Sequence, residues 1–251
     1  MQNRVIPCLL LENKGLVKTI KFSNSKYIGD PINAIKIFND KEVDELIVLD
    51  INASKQGNPP DFDFIKQFAS ECFMPLSYGG GIQTVNQAMQ LFEIGVEKVS
   101  VQNSVHKSFR LIEEISLRAG NQSVIVSIDI KKNWLGKYNL YSASSKKLLK
   151  YDWQQFIKDS VSAGAGEILI NSVDRDGTMS GMDLELIKIA STLVNVPIIS
   201  AGGVGSLVDI KESINAGSNA VAVGSYFVYY GPHRAVLISY PTIEELKLIS
   251  K

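Results

Sequence analysis

The chain repeats itself at nearly half its length. Pro75, Gly80, Gly81 and Gly95 recur as Pro197, Gly202, Gly203 and Gly217, each 122 positions on. The same displacement carries Glu45 onto Glu167 and Val99-Ser100-Val101 onto Val221-Ala222-Val223. Two similar halves, each with a glycine turn after a buried strand, point to a closed barrel made by doubling. They also point to a ligand with two anionic ends, because each turn offers bare backbone N–H groups to one phosphate.

Eight apolar, β-branched runs lie at 4–10, 45–51, 75–79, 97–102, 123–129, 167–172, 196–201 and 220–224. Eight amphipathic segments alternate with them, at 31–41, 61–72, 84–95, 109–120, 152–164, 183–194, 207–217 and 243–251. Near-continuous apolar runs suit parallel strands covered on both faces. Pro31 stands where proline begins a helix, and several segments end in glycine, the usual C-terminal stop. The expected fold is a (β/α)8 TIM barrel with a two-fold half-barrel repeat, a single domain over residues 1–251. An insertion at 134–151 follows the fifth run, with Gly136 between two polar–aromatic stretches. It reads as a small hairpin over the mouth, with a plain surface excursion and a lid or partner contact as equal alternatives.

Composition narrows the function classes. The chain carries 26 lysines and arginines against 26 carboxylates, and no basic run exceeds a few residues. No dedicated nucleic-acid or membrane surface is expected from that balance. The N-terminal segment lacks a signal-length apolar stretch and no segment is long enough to span a bilayer. Cys8 and Cys72 are too few for a disulfide framework, so a cytoplasmic setting is the expectation. His106 and His233 stand apart from other metal-ligating residues, so neither a metal nor another cofactor is expected.

Barrel active sites lie at the C-terminal ends of the strands. The candidate phosphate sites there are Gly81 with Asn103, and Gly202 and Gly203 with Gly224 and Ser225. The second is expected to be the stronger, since the turns after strands seven and eight are the usual barrel phosphate site. Asp50, Asp129, Asp174 and Asp176 end strands or follow them. Asp174 and Asp176 suit a loop that holds its own turn. Asp129 follows Val124-Ile125-Val126-Ser127-Ile128 and is expected to point into the mouth as an acid or base with a raised pKa. At the opposite ends, Arg4, Glu45, Lys98 and Glu167 each begin a strand just before apolar residues. Charges in a barrel floor are costly unless paired, so two acids and two bases at one depth are expected to form a ring.

These residues resemble the cyclase subunit of imidazole glycerol phosphate synthase, the HisF family, over all eight strands. The most specific pieces are Tyr78-Gly79-Gly80-Gly81-Ile82, Gly164-Ala165-Gly166-Glu167-Ile168-Leu169 and Asp174-Arg175-Asp176-Gly177-Thr178. The resemblance implies a mouth that binds a bisphosphate, with Gly177 at a phosphate and Asp50 and Asp176 on substrate loops. It implies a HisH-like glutaminase on the floor that sends ammonia up the core. Arg4, Glu45, Lys98 and Glu167 match the family's charged gate, and Lys18 matches a lysine of its mobile first loop. The family's chemistry uses two aspartates, after strands one and five. Asp129 matches the second, but Leu10 stands where the first belongs, and leucine transfers no proton. Glu12 shares the strand face two residues on, farther into the loop. Gln102 replaces the family's asparagine after strand four.

Segments 54–82 and 230–238 are similar to HisF-like proteins of surface-polysaccharide loci, associated with acetamidino groups on bacterial sugars. That branch implies an ammonia-conducting subunit beside a glutaminase, with room for a third, amidotransferase subunit. Two other readings stay open at this level: an authentic cyclase of histidine biosynthesis with a substitute carboxylate, and a non-catalytic scaffold that activates its glutaminase.

Overall fold

The computed structural model describes residues 3–249. Eight parallel strands form its centre: β1 (Arg4–Glu12), β2 (Leu46–Asp50), β3 (Leu76–Gly79), β4 (Lys98–Val101), β5 (Val124–Lys132), β6 (Glu167–Ser172), β7 (Ile198–Ala201) and β8 (Ala220–Val223). Each pairs with the next, and β8 returns to β1 in the register Arg4↔Ala220 to Pro7↔Val223. The sheet is therefore a closed (β/α)8 barrel with no exposed edge around its circumference.

Eight helices surround it: α1 (Pro31–Asp40), α2 (Phe62–Ala69), α3 (Val85–Glu93), α4 (Arg110–Ala119), α5 (Trp153–Ser162), α6 (Leu184–Ser191), α7 (Leu207–Asn215) and α8 (Ile243–Ile249). Their starts follow from local chemistry. Asp30 accepts from Asn33 N ahead of Pro31, Thr84 and Gln87 form a capping box, and Asp61, Asp152, Asp183 and Ser206 cap α2, α5, α6 and α7. Each cap satisfies a backbone donor that the first turn leaves open. All eight helices fall within the segments expected from the pattern, shortened by their caps; residues 250–251 of the last segment lie outside the described residues.

Strand alternation divides the core in two. Outward residues such as Val48, Val99, Val126 and Ile168 pack under the helices. Inward residues form a smaller cluster of Ile6, Ile47, Ile125, Leu169, Ile199, Ala220 and Ala222 inside the barrel. On β1 the inward set is Arg4, Ile6, Cys8, Leu10 and Glu12, from floor to mouth, because successive side chains leave a strand on opposite faces.

Three excursions crown the mouth. β1 runs past its expected end and turns into an antiparallel hairpin, Gly15–Ile20 with Ser23–Gly29. The sequence pattern did not disclose this hairpin. Its tip is Lys21-Phe22, both with positive φ (51° and 60°), where a hairpin turn is ordinarily announced by Asn-Gly. β5 also overruns, and pairs with Tyr138–Ser142, which pairs in turn with Lys147–Leu148. The insertion thus carries the expected small hairpin, Tyr138–Ser142 with Lys147–Leu148, added to the overrunning end of β5. The third excursion, Tyr229–Tyr230 with Ala235–Val236, follows β8.

Candidate active site

At the floor, the four charges expected to form a ring meet. Arg4 Nη1 donates to Glu45 Oε2 (2.5 Å) and Arg4 Nη2 to Glu167 Oε2 (3.2 Å). Lys98 Nζ donates to Glu45 Oε1 (3.0 Å) and Glu167 Oε1 (3.1 Å). Each cation touches both acids and each acid both cations, so the ring is closed. Ser77 Oγ donates to Glu45 Oε1 from above (3.2 Å). Burial alone would lower the pKa of Arg4, but Glu167 and Glu45 more than offset it and hold the guanidinium charged.

Above the ring lies the apolar inner layer, and above that a polar seam climbs one wall. Ser100 and Ser127 share a buried hydrogen bond (2.6 Å). At the next level Gln102 Nε2 donates to Asp129 Oδ2 (2.7 Å). Asp129 is 6% exposed. Burial pushes its pKa up to about 7, the Gln102 hydrogen bond restrains the rise, and the negative charge of Asp176 adds to it. Its carboxyl therefore exchanges a proton near neutrality, as a general acid or base requires. Asn171 stands beside it in register, lines the mouth, and has a buried Oδ1 with no partner among the described residues. Sequence reasoning missed Asn171. The signal was the alternation Glu167, Leu169, Asn171, which turns a third residue of β6 inward.

The opposite wall is apolar. Cys8, Leu10, Leu49 and Ile51 line it, and Leu10 presents no proton donor toward the cavity. Glu12 also lines the mouth, higher in the loop, where it accepts from Ser25 Oγ. Lys18 reaches in from the first hairpin and donates to the Cys8 carbonyl (2.6 Å). Burial lowers its pKa, opposed by Cys8 and Asp176.

The cavity measures about 460 Å³ and joins the two glycine turns, with Gly81 and Asn103 at one end and Gly202, Gly203, Gly224 and Ser225 at the other. The glycines have a reason of their own. Gly81 (φ 74°) and Gly203 (φ 110°) adopt backbone angles that side chains resist, and a Cβ on either would strike the backbone of Asn58 or Gly181. The donors distinguish the two ends. Gly81 N already donates to Ser54 Oγ (3.3 Å), whereas the N–H groups of Gly203 and Ser225 have no protein acceptor among the described residues. Asn103 Oδ1 accepts from Ser144 Oγ (2.7 Å), which leaves its NH2 for a ligand.

The remaining carboxylates hold loops. Asp50 Oδ1 accepts from Asn52 N and Ala53 N, both at 2.9 Å. Asp174 Oδ2 accepts from Lys132 N (2.8 Å). Asp176 Oδ2 accepts from Thr19 Oγ1 (3.0 Å) and Phe22 N (3.4 Å). Gly177 packs against Thr19 O, too close for any side chain. The side chains of Asp174 and Asp176 thus hold neighbouring segments rather than their own turn.

A family model described as "Histidine biosynthesis protein" matches residues 4–234. A protein of Pseudomonas aeruginosa, named "Putative imidazole glycerol phosphate synthase subunit hisF2", is 47% identical over 98% of both chains. One of Leptospira interrogans, under the same name ending in HisF, is 48% identical over 98% of this chain and 97% of its own. The "Imidazole glycerol phosphate synthase subunit HisF" of Exiguobacterium sibiricum is 37% identical over 90% of this chain and 91% of its own. With the match spanning the barrel from its first strand into the last excursion, the chain belongs to the HisF family.

Proposed function

We propose that this barrel is the synthase subunit of a glutamine-dependent amidotransferase. Ammonia released by a HisH-like glutaminase on the floor enters through the charged ring and reaches a phosphorylated acceptor at the mouth. The product class is an acetamidino sugar for surface polysaccharide, which the similarity of segments 54–82 and 230–238 supports. One observation carries the reading: the Arg4–Glu45–Lys98–Glu167 ring is complete, while Leu10 removes one of the two proton-transfer groups of a ring-closing cyclase. Neutral ammonia crosses the apolar layer of Ile6, Ile47, Ile125 and Leu169 at little cost, whereas ammonium there would be an unpaired buried charge. Mutual pairing offsets most of the desolvation of the four side chains, so the ring can part briefly and re-form.

Lys98→Ala tests this in the assembled complex. It leaves Glu45 and Glu167 with one base between them, and should change glutamine-dependent product formation far more than ammonia-dependent product formation. Equal loss of both, or of neither, means that the ring is not an ammonia gate.

A second reading, an authentic histidine-pathway cyclase, is favoured by Asp129 at its near-neutral pKa. It requires turnover with one acid–base group absent, a loss of about a hundred- to ten-thousandfold. We expect no complementation of a cyclase-deficient histidine auxotroph, and a rise in any trace activity on Leu10→Asp. Turnover comparable to ordinary cyclases by the unaltered chain would establish the second reading instead.

A further inference from the structure

The three excursions above the mouth, residues 13–29, 131–151 and 229–236, carry eleven of the chain's 26 lysines and arginines and none of its 26 carboxylates. A chain of zero net charge therefore has a strongly cationic crown. Nearby carboxylates offset part of it, since Asp176 acts on Lys18 and Glu12 stands at the base of the first hairpin, but they are far fewer than the eleven cations. Among the described residues, only Lys14 and Lys132 of the crown pair with carboxylates, Asp61 (2.8 Å) and Asp183 (3.6 Å).

Large apolar side chains stand among these charges. Trp134 is 91% exposed at the tip of the β5 extension, next to Leu135 at 58%, and Tyr230 is 70% exposed on the third excursion. The tip is held firmly. Asn133 Oδ1 accepts from Leu135 N and Lys137 N (both 3.0 Å), Asn133 N donates to Lys137 O, and Gly136 N to Asn133 O (both 2.9 Å). A tryptophan on a pinned turn presents its area at little cost in ordering, which is the property of an interface anchor.

We infer that the crown is a docking surface for a second protein, one with an acidic face and an apolar socket for Trp134 and Leu135, and that this protein consumes the ammonia delivered at the mouth. The consumer's identity rests on the proposed function; the surface rests on charge and exposure. The occupant is a protein rather than nucleic acid because aliphatic Leu135 and Val236 are exposed beside the aromatics and Arg234 is the only arginine in these segments. Nucleic-acid surfaces read phosphates and stacked bases with arginine and aromatic planes.

The experiment titrates the chain with the purified enzyme that accepts its ammonia in the reconstituted glutamine-dependent reaction, in about 50 mM and about 500 mM salt. Trp134→Ala should weaken binding roughly tenfold or more, Trp134→Phe should retain most of it, and Lys131→Glu with Lys137→Glu should weaken it most at low salt. Anionic phosphatidylserine vesicles, a single-stranded RNA and self-association by sedimentation run in parallel. Binding to any of these with the same Trp134 dependence, in place of the enzyme, overturns the inference, as does an affinity that neither set of variants changes. If the enzyme docks through Trp134 but glutamine-derived ammonia never reaches it, the surface stands and the ammonia reading falls. If glutamine-dependent transfer proceeds and Trp134→Ala changes neither affinity nor transfer, the surface falls and the ammonia reading stands.

Discussion

Asp129 and Leu10 line one cavity and have opposite capacities. Asp129 keeps its proton to about pH 7 because burial disfavours the carboxylate, and one neutral donor, Gln102, only partly answers it. A carboxyl with an ordinary pKa of 3.8 that rises to about 7 on folding binds its proton more tightly in the fold. Its contribution to stability is full below about pH 4 and is lost as pH rises through about 7, after which the fold bears a cost of up to about 4 kcal/mol. Asp129→Asn removes that cost. The variant should have a higher urea midpoint than the parent at about pH 8 and the same midpoint at about pH 4. Equal midpoints at both pH values would mean that Asp129 ionises as readily folded as unfolded. That Asp129 faces the mouth was legible in its place at the end of the apolar run 124–128. Its hydrogen bond to Gln102 was not, because the partner lies just past the neighbouring strand β4 and the contact depends on the relative stagger of β4 and β5.

Among the elements, the first hairpin is one that the sequence concealed. It lies over the mouth, with Phe22 near Tyr141 of the β5 extension (ring centroids 6.3 Å apart). Asp176 holds it through Thr19 Oγ1 and Phe22 N, and the Asp176 carbonyl accepts from Lys21 N (2.9 Å). Burial raises the pKa of Asp176, while Thr19, Phe22 N and Lys18 pull it back. Asp176→Ala removes the two side-chain bonds and keeps the backbone one. Hydrogen bonds to a charged group contribute about 1.5–3 kcal/mol, so the amides of Lys21 and Phe22 should exchange roughly ten- to a hundredfold faster, with the barrel strands unchanged. Unaltered protection at those amides would show that the hairpin is held by other contacts. The glycine turns were easier to read, because positive φ and close backbone approach exclude other residues and leave a mark in composition. Lys21-Phe22 makes its turn at positive φ with ordinary side chains, held by contacts 154 residues away, and leaves no such mark.

Taken whole, the molecule separates its chemistry by end: paired charges at the floor, a cationic crown, and between them a cavity with a glycine turn at either end. Inorganic phosphate should perturb the amides of Gly203 and Ser225 at lower concentration than those at Gly81 and Asn103, read by amide chemical shifts, because both backbone donors of the first pair lack a protein acceptor among the described residues whereas Gly81 N already donates to Ser54 Oγ. The reverse order, or no perturbation at either end, would leave the glycines with their backbone role alone. The sequence by itself determined the strand–helix alternation, the doubling and hence the barrel, since apolar periodicity and a repeat at half-length are local and countable. It also placed Glu45 and Glu167 at equivalent depths. Whether the four floor charges meet was decided only by the tertiary structure. Arg4 and Glu167 are 163 residues apart, and they touch because β5 pairs with β6, β8 returns to β1, and the stagger of the closed sheet sets both side chains at one height inside it.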